Sequence, residues 1–134
     1  MEVLIIDGQG GGLGRQLVAA VKARCPRMTV LAVGTNSAAT AAMLRAGADQ
    51  AATGENSVVV AAGRADVIIG PLGIVIADSM LGEITPRMAV AVGQSRAKRI
   101  LIPLNLCDNM VAGVTEVTMS DAVQSAVDAL QAME

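Results

Sequence analysis

Short apolar segments alternate with amphipathic segments along the whole chain. The first segment, Glu2 to Ile6, is apolar on both faces, as in a central strand of a parallel sheet. Glycines follow it directly, and then Leu13, Leu17, Val18 and Val21 recur at the spacing of one helix face. A buried strand that leads at once into an amphipathic helix predicts the first half of a β-α-β unit.

The same alternation predicts four further strands and four further helices. The strands are expected at residues 28–33, 48–52, 66–70 and 99–104. The helices are expected at residues 37–46, 54–62, 85–92 and 121–132, with caps at Asn36 or Ser37, Thr53, Thr85 and Ser120 or Asp121, and closing glycines at Gly47, Gly63 and Gly93. This order predicts an α/β fold: a three-layer, Rossmann-like, doubly wound sheet of about five parallel strands with helices on both faces. We expect one domain over residues 1–134.

Composition narrows the possible partners. Hydrophobic residues make up 53% of the chain and mean hydropathy is +0.56. These values favour both an interior that is buried on both faces of a sheet and an apolar surface that pairs in a homo-oligomer, a dimer or higher. The longest apolar run, Val67 to Ala77, is about half of the roughly 20 residues that a membrane-spanning helix needs. The first residues lack a basic, cleavable leader, so we expect a cytoplasmic protein without a membrane partner. A net charge of −2 without a basic run disfavours nucleic acid.

Missing side chains exclude several chemistries. The chain has no histidine, phenylalanine, tryptophan or tyrosine. An imidazole base, a histidine metal ligand and an aromatic stacking platform are therefore excluded. Cys25 and Cys107 lie far apart and have no metal or redox spacing, so both are predicted to be reduced thiols and no metal site is expected.

Five glycines crowd the turn between the first strand and the first helix. The turn reads Gly8, Gln9, Gly10, Gly11, Gly12, Leu13 and Gly14. Glycines let the backbone approach an anion, and the helix N-terminus presents free N–H groups, so the loop predicts a phosphate or nucleotide site. The strict G-x-G-x-x-G pattern fails at Leu13, and no Lys-Ser/Thr follows Gly14, so the loop is not a Walker motif. A tight turn without a ligand is the alternative.

The spacing of Gly8, Gly12 and Gly14 resembles the glycine loop of NAD(P)-binding short-chain dehydrogenase/reductase proteins. That resemblance implies NAD(P) or another nucleotide as cofactor. In place of an acidic residue after the second strand, the chain has Gly34, Thr35, Asn36 and Ser37, which could bind a ribose hydroxyl or a phosphate. The catalytic tyrosine of that family cannot exist here, so its activity is excluded.

A second resemblance covers nearly the whole chain. The segments at residues 7–12, 34–37, 52–56 and 70–80 resemble a small uncharacterised bacterial family known as a domain of unknown function. This resemblance implies a Rossmann-like domain and supplies no activity.

Glycine and small polar residues follow the predicted strands. Ligands of open parallel sheets bind outside the carboxyl ends of the strands, where strand order reverses. The residues expected there are Asp7, Gly8, Gly34, Thr35, Asn36, Thr53, Gly54, Glu55, Asn56, Gly70, Pro71, Leu72, Gly73 and Asn105. A ligand cleft at this edge is our prediction, and ordinary turn chemistry is the alternative.

The segment from Pro71 to Ile84 is longer than most strand-to-helix connections. It could be an apolar arm that completes a dimer. It could also be a lid whose Asp78 and Glu83 act as catalytic residues, either through Mg²⁺ on a phosphate or as a base.

Three hypotheses follow. The first is a module that binds or senses a nucleotide or dinucleotide through the glycine loop. The second is a metal-assisted enzyme that acts on a nucleotide or a phosphorylated small molecule through Asp7, Asp78 or Glu83. The third is a structural homo-oligomer whose glycine loop is empty. The lack of histidine and tyrosine favours the first over the second.

Overall fold

The fold is built on one parallel sheet. The structure is a computed structural model that describes residues 1–104 and 108–134. Its strands are β1 (Glu2–Asp7), β2 (Thr29–Gly34), β3 (Gln50–Thr53), β4 (Val67–Pro71) and β5 (Lys98–Ile102). They lie in the order β3-β2-β1-β4-β5 and every neighbouring pair is parallel.

Helices connect the strands and cover both faces of the sheet. They are α1 (Gly12–Arg24), α2 (Ser37–Arg45), α3 (Glu55–Ala62), α4 (Pro86–Gln94) and α5 (Met119–Gln131), with a 3₁₀ turn at Leu72–Val75. None of the helices in the two described ranges is both long and apolar enough to cross a bilayer.

Strand β1 is central because its side chains are apolar on both faces. Val3 and Ile5 pack into one core with α1, α2 and α5. Leu4 and Ile6 pack into a second core with α3 and α4. All four side chains have no exposed surface, so the sheet is the middle of three layers. The predicted three-layer α/β fold is confirmed.

Several predicted element ends are wrong, each for a local reason. Thr53 does not cap α3, because its hydroxyl lies 2.7 Å from that of Thr40 and Gly54 takes the N-cap position. Helix α4 continues through Gly93 to Gln94 and ends at Ser95, whose backbone is extended.

Helix α5 begins earlier than the sequence predicts. Thr118, not Ser120 or Asp121, is its N-cap, and the Thr118 hydroxyl accepts the Asp121 N–H at 3.1 Å. The earlier start places Met119 in the first turn, where it packs against the core. Asn36 does cap α2, and Gly47 follows that helix with a positive φ, as predicted.

Strand order defines the topological switch point of the sheet. After β1 the chain crosses to β2 on one side, and β4 flanks β1 on the other. The connections that leave the carboxyl ends of β1 and β4 therefore run in opposite directions across the sheet, which is where open parallel sheets form a ligand crevice.

Candidate functional site

The glycine loop forms a tight turn into α1. The Gly11 N–H donates to the Gly8 carbonyl oxygen at 2.9 Å. Gly11 is the N-cap of α1, with a left-handed φ of 73°. The helix starts at Gly12, and the side chain of Leu13 is already buried in the core.

The buried Asp7 carboxylate holds this turn in place through two hydrogen bonds. It is 6% exposed, and it accepts the Gly8 N–H at 2.8 Å and the Gly14 N–H at 2.6 Å. Burial raises the pKa of Asp7, the two N–H donors lower it in part, and the negative charge of Glu83 raises it further, so the net direction is upward. Both carboxylate oxygens are used by the fold, so Asp7 supports the loop from within.

Other N–H groups of the loop are free. Within the described ranges, the N–H groups of Gly10, Gly12 and Leu13 donate to no backbone or side-chain acceptor, and no side chain caps α1. The first turn of α1 carries no acidic side chain. Free N–H groups at a helix N-terminus form the kind of surface that binds phosphate and carboxylate.

Packing explains some glycines of the loop. A Cβ at Gly8 would lie 2.9 Å from the Glu83 Oε1, one at Gly11 would lie 2.9 Å from the Ala39 Cα, and one at Gly14 would lie 2.8 Å from the Asp7 Cβ. A side chain at Gly11 would meet the backbone of α2, whereas one at Gly8 or Gly14 would require neighbouring side chains to shift.

Packing does not explain Gly10 and Gly12. A Cβ at either position would meet nothing within 4 Å, and neither residue has a positive φ. The fold itself would therefore accept larger residues at these two positions.

The turn after β2 lies beside the glycine loop. The Asn36 Oδ1 accepts the Ala39 N–H at 2.9 Å as the cap of α2, while its Nδ2 donates to the Gln9 carbonyl oxygen at 2.8 Å. Ser37, the first residue of α2, is exposed. A Cβ at Gly34 would lie 2.5 Å from the Thr40 nitrogen, so the backbone packs closely here.

Glu83 joins these two turns to the segment after β4. Its Oε1 accepts hydrogen bonds from the Gln9 N–H at 2.9 Å, the Thr35 hydroxyl at 2.5 Å and the Asn36 Nδ2 at 2.9 Å. Partial burial raises the pKa of Glu83, but these three donors outweigh it, so its pKa lies below the ordinary value. Glu83 is therefore an ionised carboxylate held among three strand ends.

The segment that carries Glu83 has an unusual backbone. Asp78, Met80 and Leu81 all have positive φ, as does Gly82. The sequence pattern does not predict this backbone path. It also does not predict that Met80 lies beside the glycine loop, where its sulfur would be 2.9 Å from a Cβ added at Gly8. Left-handed non-glycine residues of this kind often occur at functional segments.

The two predicted catalytic carboxylates have different positions. Glu83 belongs to the cluster at the glycine loop. Asp78 is exposed, and its described hydrogen bonds are made by its backbone to Ile84 and Gly82. The structure therefore does not bring the Asp78 carboxylate into the cluster.

Gly70 and Pro71 form the end of β4 and are both buried. A Cβ at Gly70 would lie 2.6 Å from the Ile6 carbonyl oxygen, so Gly70 permits close packing of β4 against β1. Asn105 and Cys107 lie outside the described residues.

A cavity of about 510 Å³ lies at the opposite end of the sheet, lined by Met1, Arg24, Pro26, Arg27, Met28, Met133 and Glu134. In the part of the chain that the structure describes, no three cysteine or acidic residues form a group that could hold a metal ion.

Comparison with known proteins adds a family. Residues 2–134 match the family described as a domain of unknown function, DUF3842. The chain belongs to the DUF3842 family. Among curated proteins, no sequence matches this DUF3842 chain.

A solved structure shares the fold. The DUF3842 chain is similar to a dodecameric FMN-dependent UbiX-like decarboxylase from Escherichia coli O157:H7, with a TM-score of 0.53 and 17% identity. The alignment covers 99% of this chain and 94% of that one. At this identity the likeness shows the α/β fold alone.

The pKa direction of Glu83 predicts an acid-dependent loss of stability in the DUF3842 chain. Because its folded pKa lies below the ordinary value of 4.5, ionised Glu83 stabilises the fold above that value and loses this effect as pH falls through the folded pKa. The stability advantage of wild type over Glu83→Gln should therefore be full near neutral pH and decrease as pH falls below 4.5 and through the folded pKa of Glu83. Urea unfolding over a series of pH values from neutral to acid measures it, and an advantage that does not change with pH would contradict the assignment.

Proposed function

We propose that this chain binds a nucleotide or dinucleotide, NAD(P)-like in its phosphate contacts, and acts as a binding or sensing module. The phosphate would accept hydrogen bonds from the free N–H groups of Gly10, Gly12 and Leu13 at the start of α1. The partial positive charge of the helix N-terminus adds to this attraction.

One observation carries the proposal. Gly10 and Gly12 are glycines that the fold does not require, because a Cβ at either would meet no neighbour within 4 Å. A ligand that approaches the backbone closely would require them. A turn without a ligand requires glycine at Gly11 and Gly14, but it does not explain the glycines at Gly10 and Gly12.

The neighbouring turns supply a polar surface for the rest of a nucleotide. The hydroxyl of Thr35 and the amide of Asn36 lie within hydrogen-bond distance of Glu83, next to the loop. The ligands that fit this surface have a phosphate joined to a hydroxylated sugar. The structural neighbour is FMN-dependent, so a flavin nucleotide belongs among the candidates together with NAD⁺, NADP⁺ and ATP.

The other two hypotheses have less support. The metal-assisted enzyme would have to use Asp7, Asp78 or Glu83, but both oxygens of Asp7 are held by backbone N–H groups and Asp78 lies outside the cluster. The structural homo-oligomer with an empty loop does not explain why Gly10 and Gly12 are glycines.

A thermal-shift screen tests the proposal. NAD⁺, NADP⁺, ATP, FMN and inorganic phosphate are added to the purified chain in turn. A ligand at 100 times its Kd should stabilise the fold by about 2.7 kcal/mol, which raises Tm measurably. A flat response to every nucleotide would contradict the proposal and favour the structural homo-oligomer.

We also propose that the chain forms a homo-oligomer through the segment after β4. Leu81, at the tip of that segment, is 96% exposed, which is unusual for a large apolar side chain. Leu81→Asp should therefore lower the mass measured by light scattering after size-exclusion chromatography. Leu44→Asp, on the surface of α2, is the matched control. A monomeric wild type, or an unchanged mass in Leu81→Asp, would contradict this part.

A further inference from the structure

Glu83 has one bonded and one open carboxylate oxygen. Its Oε1 accepts all three described hydrogen bonds, from Gln9, Thr35 and Asn36. Its Oε2 accepts none from the described residues, and it is not among their buried unpaired polar atoms, so it keeps solvent-accessible surface. The side chain is thus fixed by one oxygen while the other remains available to a ligand.

Dinucleotide-binding sheets have a carboxylate with a defined role close to the end of the second strand. There an acidic residue after the second strand accepts a hydrogen bond from the ribose 2′-hydroxyl. Here β2 ends at Gly34, and the next two residues, Thr35 and Asn36, carry no charge. Glu83 comes from the segment after β4, yet its carboxylate is bonded to these same two side chains.

We propose that Glu83 recognises the ribose of a bound nucleotide and favours an unphosphorylated 2′-hydroxyl over a 2′-phosphate. The open Oε2 would accept a hydrogen bond from a ribose hydroxyl while Oε1 keeps its three donors. This inference rests on the proposed nucleotide site and specifies which nucleotides fit it.

Charge supports the direction of this preference. The three donors to Oε1 keep Glu83 ionised near neutral pH, and a hydrogen bond from a hydroxyl to an ionised acceptor is stronger than one to a neutral acceptor. No arginine or lysine within the described ranges forms an ion pair with Glu83. A 2′-phosphate would therefore meet an uncompensated negative charge.

The alternative is that Glu83 has only a structural role and holds three turns together through the hydrogen bonds of Oε1. In that role it would not affect which sugar binds. Glu83→Gln separates the two roles, because glutamine keeps a carbonyl oxygen for Gln9, Thr35 and Asn36 but removes the charge.

The experiment is calorimetric titration of NAD⁺ and NADP⁺ into wild type, Glu83→Gln and Asp78→Asn. Asp78→Asn removes a carboxylate from the same segment outside the cluster, and asparagine tolerates the positive φ at that position. We expect wild type to bind NAD⁺ more tightly than NADP⁺ by about 10-fold or more. Glu83→Gln should bring the two Kd values within about 3-fold of each other, while Asp78→Asn keeps the wild-type ratio.

The possible failures are distinguishable. If wild type binds the two dinucleotides and Glu83→Gln leaves the ratio of their Kd values unchanged, the ribose assignment is wrong and the nucleotide site stands. If wild type binds FMN but neither dinucleotide, the ribose assignment is also wrong. If wild type binds no nucleotide at all, the proposed function fails and the assignment fails with it.

Discussion

Gly11→Ala is expected to lower the free energy of unfolding by roughly 2–4 kcal/mol, the largest stability effect in the glycine loop. Gly11 has a φ of 73°, which disfavours any residue with a Cβ. A Cβ there would also lie 2.9 Å from the Ala39 Cα and 3.1 Å from the Ala39 carbonyl oxygen, so backbone atoms of α2 would have to move. Equilibrium unfolding in urea measures the loss.

Gly10→Ala is the matched control for this prediction. Gly10 lies next to Gly11 in the same turn, but it has no positive φ and no neighbour within 4 Å of its added Cβ. Its stability should stay within about 0.5 kcal/mol of wild type. Equal losses in the two variants would mean that the turn does not have the conformation described here.

Gly12→Val is expected to abolish nucleotide binding while the fold persists. Gly12 is the first residue of α1, and its free N–H is one of the groups proposed to bind the phosphate. A valine side chain would extend into the space that the phosphate requires. Because nothing in the chain lies within 4 Å of the added Cβ, the free energy of unfolding should change by less than about 1 kcal/mol.

The measurement is the thermal shift with the nucleotide that stabilises wild type most. A shift that survives in Gly12→Val would place the ligand elsewhere on the molecule. A variant that unfolds would contradict the open space described around Gly12. Gly12→Ala, with a smaller side chain at the same position, should lose less of the shift than Gly12→Val.

Much of the fold could be predicted from the sequence because its signals are local. The apolar run at β1 and the helical spacing in α1 depend on neighbours along the chain, and both elements lie where they were expected. Element ends were less predictable, since several residues compete to cap a helix. Thr118 and Ser120 both carry hydroxyls, and packing of Met119 against the core accompanies the earlier start of α5.

The candidate site could be predicted only in part. The glycine loop was visible as a cluster, but which glycines serve the fold could not be read from it. Gly11 and Gly14 are fixed by Ala39 and Asp7, which the sequence gave no means of placing next to them. The contact of Glu83 with the glycine loop could not be predicted either. It depends on a left-handed backbone path before Glu83, and the pattern of hydrophobic residues does not indicate such a path.

The proposed function depends on one distinction within the glycine loop, between glycines that the fold needs and glycines that a ligand needs. The most direct test is calorimetric titration of the best-stabilising nucleotide into wild type and Gly12→Val, with urea unfolding of both. We predict a saturable binding isotherm for wild type, none for Gly12→Val, and nearly equal stabilities. Superimposable isotherms for the two proteins, or no binding by wild type, would contradict it.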